Sequence, residues 1–77
     1  MLNISGISNR LDSAYVDVVS RRGARVHARF ELRKGRGKLL LNNGEVDFSE
    51  NISDLEVRVW VGEKDEIILF GYSLNPL

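Results

Sequence analysis

From Ser13 onward, apolar side chains recur at every second position rather than every third or fourth, and this period of two constrains the fold more than any other feature. It puts alternate residues on opposite faces of extended strands, so an all-β fold is expected. Residues 14–18, 26–32, 39–41, 46–48, 55–61 and 66–73 carry the pattern, separated by turn residues at 21–23, 35–36, 43–44 and 62–65. A sheet with one apolar face must cover it. The expected architecture is therefore an antiparallel meander of five to six strands, closed into a small barrel or folded as a two-layer sandwich.

Turn chemistry predicts the registers. Asn43-Gly44 is the preferred pair for a two-residue type I′ hairpin, which sets Leu41 opposite Val46 and Leu39 opposite Phe48. A three-residue loop at 21–23, with Gly23 in the left-handed position, pairs Val18 with Val26, Val16 with Ala28 and Ala14 with Phe30. A tight turn at Gly35-Arg36 pairs Leu32 with Leu39 and Phe30 with Leu41. These registers collect Ala14, Val16, Val18, Val26, Ala28, Phe30, Leu32, Leu39, Leu41, Val46 and Phe48 on one face, and a slip of one residue at any turn would break it.

Residues 13–74 thus read as the β core of a single domain spanning 1–77. In residues 1–12, Leu2, Ile4, Ile7 and Leu11 are spaced irregularly around Gly6, which fits an edge strand, a helical turn or an N-terminal arm. Pro76 has no amide hydrogen to give a ladder, so the last strand is expected to stop near Leu74.

Size then bears on function. A chain of 77 residues buries only about 60% of the surface its unfolded form exposes. Such a core supplies about 3–5 kcal/mol, and domains this small usually add a staple. With no cysteine and a single histidine, disulfides and zinc are closed off, which points to a protein partner or self-association. One imidazole and scattered carboxylates show no metal-ligand spacing, so neither metal nor cofactor is expected. His27 is expected opposite Asp17 and near Ser20, yet a flat strand face offers neither an oxyanion hole nor a pocket. An enzyme with a small-molecule substrate is not expected. Residues 1–11 lack the basic start and apolar run of a secretory signal, and no stretch approaches the ~20 apolar residues of a membrane span. The expected location is the cytoplasm or a virion.

Charge is balanced overall but segregated along the chain. Residues 21–38 hold Arg21, Arg22, Arg25, Arg29, Arg33, Lys34, Arg36 and Lys38 against the single acid Glu31. Residues 45–66 hold Glu45, Asp47, Glu50, Asp54, Glu56, Glu63, Asp65 and Glu66 against Arg58 and Lys64. Three readings follow. Basic and acidic strands lie side by side and pair internally; or the basic hairpins of one subunit meet the acidic region of the next; or Arg21, Arg22, Arg25, Arg29, Arg33 and Arg36 form a phosphate-binding surface for nucleic acid. Residues 33–38 look like a glycine-rich phosphate loop, but a β run rather than a helix follows them.

Strict alternation places Trp60 on the outer face with Glu56 and Arg58, and Glu66 to Ser73 is apolar on both faces. Trp60, Ile67, Leu69 and Tyr72 form the expected contact patch, unless an arm carrying Leu2, Ile4 and Ile7 covers it. The expected function is that of a non-enzymatic structural protein, a subunit of a symmetric or particle-like assembly such as a virion. A small nucleic-acid-binding β protein using the arginine-rich hairpins is the alternative.

Overall fold

A computed structural model describes residues 1–34, 37–47 and 52–75. Six strands run through them: β1 (Leu2–Arg10), β2 (Tyr15–Ser20), β3 (Arg25–Glu31), β4 (Leu39–Gly44), β5 (Glu56–Trp60) and β6 (Glu66–Leu74). They make two three-stranded antiparallel sheets of order β4-β1-β6 and β3-β2-β5, so the all-β expectation resolves to a two-layer sandwich rather than a closed barrel. Leu2 and Ile4 of β1 and Val16 and Val18 of β2, the two central strands, face one another across the layers. Ala14, Leu32, Leu40 and Val46 complete the buried core.

Of the strands adjacent in sequence, only β2 and β3 pair. Their register differs from the expected one by two residues, and each residue has its own cause. The connection runs from Arg21 to Ala24, one longer than a three-residue loop, so Ser20 pairs with Arg25. A bulge at His27 then adds a second step, setting Val18 opposite Ala28 and Val16 opposite Phe30. Two single slips restore the parity that one would destroy, which is why Val16, Val18, Ala28 and Phe30 still face the core. Val26, beyond the bulge, is paired with Val19 and left exposed.

The hairpin expected at Asn43-Gly44 does not form. Asn43 does adopt a left-handed φ of 55°, but Gly44 continues β4 and pairs with Leu2. The pairing of Leu32 with Leu39 and of Phe30 with Leu41 is also absent, a single backbone bond from Arg33 N–H to the Leu40 carbonyl standing in its place. Both corrections share one cause: β1 takes the centre of the first sheet and offers β4 a partner along its length. Leu40, rather than Leu39 or Leu41, is consequently the buried leucine of β4. The expected turn at 35–36 and the partner position Phe48 lie outside the described residues, as does Pro76; β6 ends at Leu74 as expected.

Gly6 explains how β1 fits between its neighbours. A Cβ there would stand 2.5 Å from the Ile68 carbonyl oxygen and 3.0 Å from Leu40 Cδ1. At the end of the sandwich where the chain crosses between sheets, Asp65 binds two loops together. Its carboxylate accepts the Gly62 N–H at 2.7 Å, the Ser13 N–H at 3.1 Å and the Asp12 N–H. The Asp12 bond foremost, then those of Gly62 and Ser13, hold the Asp65 carboxyl below its ordinary pKa against the opposing effect of desolvation.

Candidate functional site

Tyr15, Asp17 and Val19 alternate on the outer side of β2, the central strand of its sheet, so each has a cross-strand neighbour on both sides. Tyr15 lies between Glu31 and Trp60, and Asp17 between Arg29 and Arg58. The pairing builds a layered cluster. The Arg29 guanidinium sits 4.8 Å from the centre of the Tyr15 ring, Tyr15 stacks on Trp60 with centroids 6.1 Å apart and planes at 20°, and Arg58 lies 5.0 Å from the Trp60 ring.

Beneath these side chains Asp17 is wholly buried. It accepts Arg58 Nε–H and Nη2–H, both at 2.9 Å, and Trp60 Nε1–H at 3.1 Å. The Arg58 hydrogen bond is the main reason its carboxyl titrates below the ordinary value; the indole bond adds to this and burial opposes it. Asp17 therefore fixes the rotamers of both Arg58 and Trp60, and the indole, at 44% exposed, is presented to solvent in a set orientation. Arg58 Nη1 reaches the turn Arg21–Gly23, where a Cβ on Gly23 would stand 2.8 Å away. Gly23 also has φ 89°, so both its backbone and its neighbour demand glycine.

The expected contact patch is divided by the topology. Trp60 belongs to one sheet, whereas Ile67, Leu69 and Tyr72 lie on β6 of the other, because β6 pairs with β1 and not with β5. Ile67 packs half-buried against the core, while Ile68, Leu69, Phe70 and Tyr72 expose 45 to 62% of their surface. The arm expected as a cover for Trp60 is the central strand β1, with Leu2 and Ile4 in the core and Ile7 exposed. β6 is an edge strand, and Lys38 approaches the Phe70 ring at 5.5 Å.

The basic residues are spread along one edge. Arg21 and Arg22 occupy the turn before β3, both exposed and both with positive φ, at 53° and 56°. The Arg21 backbone N–H donates to Asp54 at 2.7 Å. Arg25 and Arg29 follow on β3, and Arg33 pairs with Glu31 at 3.3 Å in open solvent; Arg36 lies outside the described residues. Basic β3 and β5, which begins at Glu56, are separated by β2, so these strands do not pair with each other.

His27 is not opposite Asp17, because the bulge moves it and brings Arg29 to that position. His27 Nε2 instead meets the buried Ser20 Oγ at 2.7 Å, and both line an open cleft of about 190 Å³ with Arg21, Arg25, Ile52, Ser53 and Asp54. Among the described residues, no three His, Cys, Asp or Glu side chains converge to hold a metal, and no helix is long and apolar enough to cross a membrane. Alternation marks Trp60, Arg58, Tyr15, Asp17 and Arg29 as outward, and the Arg29–Tyr15 contact follows from pairing β2 with β3; that β5 lies on the other side of β2 and brings Arg58 and Trp60 to Asp17 is what the turn residues did not disclose. Comparison with protein-family models, with curated proteins and with solved structures finds no match to this chain.

Proposed function

We propose that the protein is a non-enzymatic assembly module, and that two copies associate by pairing β6 with β6. The observation that carries this reading is the character of that edge. β6 is nine residues long, and among the described residues no strand pairs with its outer row of backbone N–H and C=O groups. From Ile67 to Asn75 it holds no charged residue. Exposed edges are normally blunted by charge, and the other sheet follows that rule: β3 carries Arg25, Arg29 and Glu31, and β5 carries Glu56 and Arg58. A bulge at Phe70 interrupts β6, but the runs on either side of it are regular, and an uncharged apolar edge of that kind is the pattern of strand addition.

Charge also selects the geometry. Glu66 is the only ionised residue of β6 and stands at its first position. Parallel pairing would set Glu66 against Glu66, whereas antiparallel pairing about a two-fold axis separates them by most of the strand's length. An isologous dimer follows, with a continuous six-stranded sheet of order β4-β1-β6-β6-β1-β4. At its outer edges β4 is flanked by Lys38 and Glu45 and carries Asn42 and Asn43, which disfavours further addition. A particle such as a virion, in which such dimers are building units, is the setting that the small staple-free core suggests. Phe70→Lys, placed on the exposed edge, tests the contact: the wild type is expected to be dimeric in light scattering and the variant monomeric with unchanged circular dichroism.

A further inference from the structure

We infer that the outer face of the β3-β2-β5 sheet binds single-stranded nucleic acid, with bases stacking on Trp60 and Tyr15 and phosphates held by the arginines around them. Sequence-tolerant recognition of single strands requires aromatic faces at fixed orientation beside a cationic track. Both requirements meet on this face. Trp60 and Tyr15 stack across neighbouring strands and are held there by Asp17 below and by guanidiniums at either end, Arg29 at 4.8 Å and Arg58 at 5.0 Å.

The cationic track continues from the aromatic pair in a defined direction. Arg58 Nη1 approaches the turn at Gly23, and that turn carries Arg21 and Arg22; on β3 the outer face adds Arg29, opposite Asp17, whereas Arg25 pairs with inward Ser20. Arg21 and Arg22 hold left-handed backbone conformations that glycine or asparagine adopts at less cost, a departure characteristic of functional positions. Two of the carboxylates on this face are already paired. Asp17 is satisfied by Arg58 and Trp60, and Glu31 by Arg33. Glu56, opposite Val19 at the far end of β5, is the acid that remains on this face, and Arg29 with the turn residues Arg21 and Arg22 outnumber it beside the aromatic pair, which matches a phosphodiester chain with unstacked bases rather than an acidic peptide.

Trp60 is the lone tryptophan and so reports on its own site. Titration with a thymidine dodecanucleotide in low salt is expected to quench its fluorescence, with log K falling linearly against log salt at a slope of about −2 to −3, as three or four phosphate contacts require. Labelled-oligonucleotide anisotropy should show Trp60→Leu weakening binding roughly ten-fold or more through lost stacking. Arg29→Ala, at an exposed position outside the core, should lower the salt slope by a little under one unit. Absence of quenching at low salt would overturn the proposal. So would equal binding of inorganic polyphosphate, or full affinity in folded Trp60→Leu, since each leaves the aromatic pair without a role.

Discussion

Asp17→Asn removes one charge from the centre of the outer cluster while leaving its volume unchanged, and its cost follows from the three bonds that Asp17 accepts. Oδ2 receives Arg58 Nη2–H and Trp60 Nε1–H, and Oδ1 receives Arg58 Nε–H. An asparagine keeps one of these oxygens and replaces the other with an amide that is itself a donor. In its better orientation it retains the two bonds at the Oδ2 position and sets N–H against N–H at the other. One charge-assisted bond, about 1.5–3 kcal/mol, is then lost and the others weaken. Complete rupture of a buried pair costs about 3–5 kcal/mol. The Arg58 side chain is 32% exposed and recovers water, which places the expected loss lower, at about 2–3 kcal/mol. Against a core that supplies about 3–5 kcal/mol, this loss takes about half or more of the stability, so the variant should be visibly weakened. Urea titration followed by circular dichroism is the appropriate assay, because Trp60 fluorescence would respond to the lost bond directly. The midpoint should fall by about 1–2 M with the slope unchanged. A loss below about 0.5 kcal/mol would refute the reasoning, since Asp17 would then be worth no more than a solvated surface charge.

Acid should destabilise the wild type. Asp17 and Asp65 both titrate below their ordinary range when folded, so their contribution is complete above the unfolded value of about 3.9 and is lost as pH falls through the folded values. Arg58→Met should raise the Asp17 carboxyl relative to the wild type, because burial is then opposed only by the indole bond and the Arg29 charge; its urea midpoint relative to wild type should recover as pH is lowered, and a constant difference would contradict this. Gly6→Ala forces a Cβ onto the Ile68 carbonyl and should cost about 1–3 kcal/mol in urea titration, whereas a neutral result would mean that β1 and β6 separate freely.

Alternation and turn residues disclosed the strands well. The bounds of β2, β3, β5 and β6 fall within two residues of the periodic runs, because the side chains of a strand alternate between its two faces. β1 was harder to read: Leu2 and Ile4 alternate inward, but the next inward position is Gly6, chosen for close approach to Ile68 rather than for hydrophobicity. That omission explains the false hairpin at Asn43-Gly44, since local turn preference decides pairing only where no other strand competes. Asp17 followed the outward pattern of a solvated residue, and its burial depends on Arg58 and Trp60 from a strand about forty residues later. Contacts of that kind follow from sheet order, which hydrophobic periodicity does not encode. The basic stretch and the place of Arg29 beside Tyr15 were legible, but the stacking of Trp60 on that ring was not.

The mass of the native protein in solution tests the central claim most directly. Sedimentation equilibrium across a hundred-fold range of concentration should give a species of twice 8.7 kDa that Phe70→Lys converts to a single chain. A wild type that remains at 8.7 kDa up to millimolar concentration would contradict assembly through β6.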